Sequence, residues 1–112
     1  MYGIRNCDTV KKARAWLEGR GIDYRFHDYK AAGVDRRELE GWVKDLGWEA
    51  VLNRSGTTFR KLDPALTAGL DARKAVALML DHPSSIRRPI VRTASGLLVG
   101  FKPETYAAAF GR

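Results

Sequence analysis

Tyr2-Gly3-Ile4-Arg5-Asn6-Cys7-Asp8-Thr9-Val10-Lys11-Lys12-Ala13-Arg14-Ala15-Trp16-Leu17 changes character twice within a short distance. Tyr2, Gly3 and Ile4 are apolar and read as a short strand, and Arg5 to Thr9 form a polar knot. Val10, Ala13, Trp16 and Leu17 then recur at helical spacing, with Arg14, Glu18 and Arg20 on the opposite side and Gly19 and Gly21 as stop signals. Residues 24–29 alternate Tyr24, Phe26 and Asp28 against Arg25, His27 and Tyr29, a period of two that predicts a second strand. Strand, helix, strand in this order is a crossover unit, normally right-handed with its two strands parallel.

Outward from that unit the middle of the chain reads as helical. Asp35 with Glu38 three residues on resembles a capping box, and Leu39, Trp42, Val43 and Leu46 form one apolar stripe ended by Gly47. Residues 48–52 are expected to add a turn of helix and residues 53–62 to be a loop. Asp71 caps the next predicted helix, in which Ala72, Ala75, Val76, Met79 and Leu80 face a core until His82-Pro83 ends it. Residues 88–92 and 97–101 read as a hairpin turned at Ala94-Ser95-Gly96, and Pro103, Tyr106, Ala107 and Phe110 space a last helix. The predicted order is β, α, β, helices, β, β, α: a mixed four-stranded sheet with helices on both faces. This is an α/β, thioredoxin-like topology with a helical insertion between its βαβ and ββα halves. A single domain over residues 1–112 is expected, with halves at 1–30 and 87–112 and the insert at 31–86.

Composition narrows the partners. The chain has 112 residues, 45% hydrophobic and 29% charged, enough for one domain with its own core. It holds one cysteine, Cys7, and two histidines, His27 and His82. No internal disulfide forms from one thiol, no paired-cysteine zinc site is available, and no metal or bound cofactor is expected. A free thiol without a secretory signal fits the reducing cytoplasm. The longest unbroken apolar run, residues 75–80, is far short of the ~20 residues that a membrane helix needs. The net charge of +7 favours anionic partners. Basic residues come in small groups separated by acids (Lys11-Lys12, Arg36-Arg37, Arg60-Lys61, Arg87-Arg88), with no nucleic-acid motif, so small anions are favoured over nucleic acid. A monomer is expected.

Cys7 lies at the switch from strand to helix, where unpaired backbone N–H groups and the helix dipole favour a thiolate, with Arg5, Lys11 and Lys12 nearby in sequence. It is the predicted nucleophile. Thr9 is placed either to hydrogen-bond the sulfur or to take part in capping, and Asn6 to shape the loop. Arg88-Pro89 falls where the third strand begins, the place at which this topology puts a proline, usually in cis, against the reactive thiol. Arg88 is then expected beside Cys7, able to hold a carboxylate or oxyanion through two parallel hydrogen bonds. Trp16, Trp42 and Trp48 are expected to fill the core and the insert.

The segment from Tyr2 to Ala13 resembles the opening of the arsenate reductase (ArsC) family, in particular its YffB-like branch, related also to the Spx regulators. The similarity continues through Tyr24-Arg25-Phe26-His27-Asp28-Tyr29, the segment from Leu52 to Leu62, Arg88-Pro89-Ile90-Val91 and Gly100-Phe101-Lys102-Pro103-Glu104, nearly the whole chain in order. The resemblance implies a redox cycle on one cysteine, with glutathione as co-substrate, glutaredoxin as a further partner and a disulfide or oxyanion as substrate. It assigns anion binding to Arg54 and Arg88, and to Lys102 in the place of a third arginine. Where the reductases carry a histidine before the cysteine and a glycine after it, this chain has Gly3 and Asp8. An acid beside the thiol works against both a thiolate and a bound oxyanion. The implied activity is a glutathione-dependent thiol reductase. Arsenate reduction by the same residues is one alternative. An Spx-like regulatory module is another, although Val10 stands where the Spx redox switch has its second cysteine.

Overall fold

In the computed structural model, which describes residues 1–111, the elements run in chain order. They are β1 (Tyr2–Gly3), α1 (Asp8–Gly19), β2 (His27–Asp28), α2 (Tyr29–Ala32), α3 (Arg36–Leu46), α4 (Trp48–Val51), α5 (Thr57–Arg60), α6 (Pro64–Thr67), α7 (Ala72–Asp81), a 3₁₀ turn (Pro83–Ser85), β3 (Ile90–Thr93), β4 (Gly96–Val99) and α8 (Pro103–Phe110). The chain forms two compact units: Met1–Ala32 with the segment from Arg88 onward, and Gly33–Arg87.

The first unit carries a four-stranded sheet in the order β2-β1-β3-β4. β1 pairs parallel with β2 in the register Tyr2↔His27 and Gly3↔Asp28, and antiparallel with β3 at Tyr2↔Ile90. β3 and β4 form the expected hairpin, from Ile90↔Val99 to Thr93↔Gly96. Because β1 and β2 run together and β3 runs against them, the ends of β1 and β2 and the start of β3 lie at the same edge of the sheet. The core below this sheet is built from Val10, Ala13, Trp16 and Leu17 of α1 with Met1, Val91 and Tyr106, the helical stripe legible in the sequence. The Tyr106 hydroxyl donates to the Gly100 carbonyl at 2.8 Å, which satisfies the polar end of a ring otherwise sealed in the core.

The second unit is helical. Asp35 caps α3 by accepting from the Arg37 and Glu38 N–H groups at 2.8 and 3.2 Å, and Asp71 caps α7 through the Lys74 N–H at 2.8 Å. Gly47 ends α3 at φ 88°, a conformation that a side chain would strain. Leu39 and Trp42 of α3, Val51 of α4, and Ala75, Val76, Leu78 and Met79 of α7 are buried.

Three local expectations are corrected. The predicted strand 24–29 shortens to His27–Asp28: the Asp28 carboxylate accepts from the Lys30 and Ala31 N–H groups at 3.0 and 3.2 Å and starts α2 at Tyr29, while ahead of the strand the Arg25 carbonyl accepts from the Met1 N-terminus at 2.7 Å. Residues 53–62 are not a bare loop, since α5 occupies Thr57–Arg60. In α7, Leu78 is buried and Ala72 exposed, a rotation of the predicted face by part of a turn.

Leu17 is fully buried and Leu66 is 54% exposed. Leu17→Ala is expected to cost about 2–5 kcal/mol, and Leu66→Ala to stay within about 0.5 kcal/mol of the parent chain. Urea unfolding midpoints check both.

Candidate active site

The shared edge of the sheet gathers three side chains that are far apart in the chain. Cys7 is the N-cap of α1, with extended backbone at φ −140° and ψ 125°, and its carbonyl accepts from the Lys11 N–H at 2.9 Å. Arg88 lies two residues before the first residue of β3, and its peptide bond to the buried Pro89 is cis. The Pro89 carbonyl accepts from the Gly100 N–H at 2.9 Å, tying this turn to the end of β4. Tyr29, 1% exposed, opens α2 immediately after β2.

The Arg88 guanidinium hydrogen-bonds to both the Cys7 sulfur and the Tyr29 hydroxyl oxygen. Cys7 is half-buried and packs against the core of the first unit. Burial alone pushes its thiol up. The Val10 N–H, the hydrogen bond and charge of Arg88, and the Thr9 N–H outweigh it, and the thiol lies below its ordinary pKa. The sulfur closes no capping hydrogen bond of ordinary geometry; the two N–H groups act on it through their dipoles. Burial works to lower the Arg88 pKa, but its hydrogen bonds to Cys7 and Tyr29 carry it above the usual value. Tyr29 is pushed up to about 12, chiefly by burial, and so keeps its proton at neutral pH.

The other sequence candidates fall in different places. Thr9 is exposed and faces the sulfur with its backbone N–H. Asn6 is exposed in the bend before Cys7, and Asp8 is exposed in the first turn of α1. Lys102 is exposed at the N-cap of α8, where its carbonyl accepts from Tyr106. Arg54 belongs to the second unit, with its guanidinium 5.3 Å from the centroid of the Trp48 ring. Gly3 is closely packed: a Cβ there would lie 3.1 Å from Val10 Cγ2 and 3.5 Å from Phe26 Cε2. Among the described residues no group of three His, Cys, Asp or Glu side chains could hold a metal ion, and no helix is long and apolar enough to cross a membrane.

Tyr29 is the site residue that the sequence reading missed. Its signal was Asp28 with unpaired N–H groups two and three residues on and Gly33 beyond, the pattern of a capped, short helix rather than of a strand.

A parallel crossover, an antiparallel hairpin and a half-buried cysteine at the start of the first helix define a thioredoxin-like protein of the single-cysteine kind. The sequence profile of the ArsC family matches residues 2–109, and the chain belongs to that family. It is 39% identical to an uncharacterized protein of Haemophilus influenzae over 110 residues, 98% of this chain and 96% of that one. It is 28% identical to the global transcriptional regulator Spx of Streptococcus pyogenes, over 96% of this chain and 81% of the regulator. Among solved structures, the YFFB protein has a TM-score of 0.94 at 57% identity, covering 96% of this chain and 95% of its own. An arsenate reductase (ArsC) related protein from Brucella melitensis has a TM-score of 0.76 at 52% identity, covering 99% and 92%.

Two measurements probe this geometry. The rate of Cys7 alkylation against pH is expected to reach half its maximum below the ~8.5 of a free thiol, and Arg88→Ala to move that midpoint up by about one unit. The buried Tyr29 adds an alkaline effect. The unfolded chain gives up the phenolic proton near pH ~10, whereas the folded one keeps it to about 12. Across that window the folded state binds the extra proton, so stability falls as pH rises, by ~1.4 kcal/mol per unit for one such group. Unfolding titrations between those pH values should show the decline, and Tyr29→Phe should reduce it.

Proposed function

We propose that the chain is a glutathione-dependent thiol–disulfide oxidoreductase of the cytoplasm, with Cys7 as its nucleophile. The observation that carries this reading is the Arg88 guanidinium on the sulfur of a half-buried cysteine. A structural cysteine gains nothing from a neighbouring cation; a reactive one gains its thiolate.

The cycle needs one thiol from the protein and one from outside, because Cys7 has no second cysteine to resolve it. The Cys7 thiolate attacks a mixed disulfide of glutathione and a substrate thiol at the glutathione sulfur. The sulfur–sulfur bond breaks, and the substrate leaves as a thiolate that takes up a proton. A second glutathione thiolate attacks the Cys7–glutathione disulfide, giving oxidised glutathione and restoring Cys7. The substrate is reduced by two electrons and two glutathiones are joined. Arg88 holds the sulfur anionic at both ends of the cycle, and the net charge of +7 suits an anionic tripeptide. Glutaredoxin fits as an alternative second thiol, and the protein needs no bound cofactor and acts as a monomer in this scheme.

Arsenate is a second reading, favoured by the same guanidinium, since an Arg beside a thiolate is also a cradle for an oxyanion. Lys102 is the further cation that the resemblance offers within the same unit, and two thiols that end as a disulfide would supply the two electrons. The relatives named as Spx suggest a regulatory role instead; with Val10 in place of a second cysteine, an internal disulfide switch has no partner here.

The test is turnover of a glutathionylated cysteine peptide with reduced glutathione, read by oxidised glutathione formed and by intact mass. A glutathione adduct on Cys7, loss of turnover in Cys7→Ser and a roughly tenfold fall in Arg88→Ala are expected. Turnover of arsenate alone would move the function to the second reading, and equal rates in the parent and Cys7→Ser would remove the thiol cycle altogether.

A further inference from the structure

We propose that Tyr29 is a positioning residue for this site: its buried hydroxyl holds the Arg88 guanidinium in place over the Cys7 sulfur. The inference rests on the thiol-based reading of the site and adds a residue that acts through Arg88 rather than on substrate.

Four observations carry it. Tyr29 is 1% exposed, so its hydroxyl has no bulk water to turn to, and Arg88 hydrogen-bonds to it. The position of the ring is set by structure on both sides. Behind it, the parallel register Gly3↔Asp28 fixes where β2 ends, and ahead of it the Asp28 carboxylate caps α2 through the Lys30 and Ala31 N–H groups. A ring whose backbone is held by a strand on one side and a cap on the other is a rigid post. Arg88, by contrast, is a long side chain in a bend, with many rotamers open to it. The phenol and the sulfur, both hydrogen-bonded by Arg88, come from different stretches of chain, so together they bear on the plane of the guanidinium as well as on its distance.

The phenol is also suited to this task chemically. It stays neutral at the pH at which the cysteine works, so it accepts a hydrogen bond from Arg88 without competing for the positive charge. A carboxylate in its place would neutralise Arg88 and raise the thiol. A phenylalanine would fill the same space and release the guanidinium.

The experiment measures the pH midpoint of Cys7 alkylation, by intact mass, in the full chain and in Tyr29→Phe, Arg88→Ala and the double variant. Tyr29→Phe is expected to raise the midpoint by about one unit, a roughly tenfold smaller thiolate fraction below it, and to have no further effect on the Arg88→Ala background. A Tyr29→Phe midpoint equal to the parent's, with Arg88→Ala still raised, overturns the role of Tyr29 and leaves the proposed thiol chemistry standing. An equal rise on both backgrounds overturns it as well, because Tyr29 would then act without Arg88. A parent midpoint at that of a free thiol removes the proposed function and this inference together. The unmodified chain gives an independent check by side-chain nitrogen NMR. A guanidinium held at two points shows separate Nη resonances for Arg88, and a single averaged resonance would contradict the post.

Discussion

A guanidinium that is partly withdrawn from water is costly without acceptors, and at Arg88 this constraint ties together three stretches of the first unit, although its buried Nε has no hydrogen-bond partner among the described residues. Its acceptors include the Cys7 sulfur and the Tyr29 hydroxyl. The three residues lie in three separate stretches of chain, and only the strand order brings them together. β1 lies between β2 and β3, parallel to one and antiparallel to the other, so the chain leaves β1 toward Cys7, leaves β2 toward Tyr29 and enters β3 from Arg88 at one edge. The core of α1 against Val91 and Tyr106 holds that edge steady.

The balance at Cys7 is a contest between burial and polarity. Burial favours the neutral thiol; the first-turn N–H groups and Arg88 favour the anion and prevail. Asp8, the acid that sequence reasoning set against a thiolate, is exposed to solvent, where a carboxylate is well screened. Gly3 bears on the departure from the reductase pattern in a different way. A Cβ at this position would crowd Val10, so β1 here approaches α1 more closely than a strand carrying a side chain at that point would permit without a small shift of its neighbour.

Much of the fold was legible because it rests on periodicity. The stripe of Val10, Ala13, Trp16 and Leu17, the cap at Asp35 and the cap at Asp71 are local signals, and each produced the element it announced. Short elements were less legible. His27–Asp28 pairs over two residues only, and alternation between Tyr24 and Tyr29 could not reveal that the Asp28 side chain would turn the chain into α2. The same competition hid Tyr29. Read as a strand residue on a polar face it has no function; as the first residue of a capped helix it faces Arg88. Cys7 and Arg88 were visible because their positions follow from topology. Arg54 and Lys102 were named by resemblance, and neither the caps nor the strand register of this chain bears on their role.

The claim on which the rest depends is that Cys7 in this protein is more acidic than a free cysteine. Thiolate absorbs ultraviolet light that a thiol does not, so the absorbance of the unmodified chain minus that of Cys7→Ser, followed against pH, reads the claim directly. The account predicts a single titration with its midpoint below the ~8.5 of a free cysteine. A difference signal that emerges only at or above that pH would contradict it.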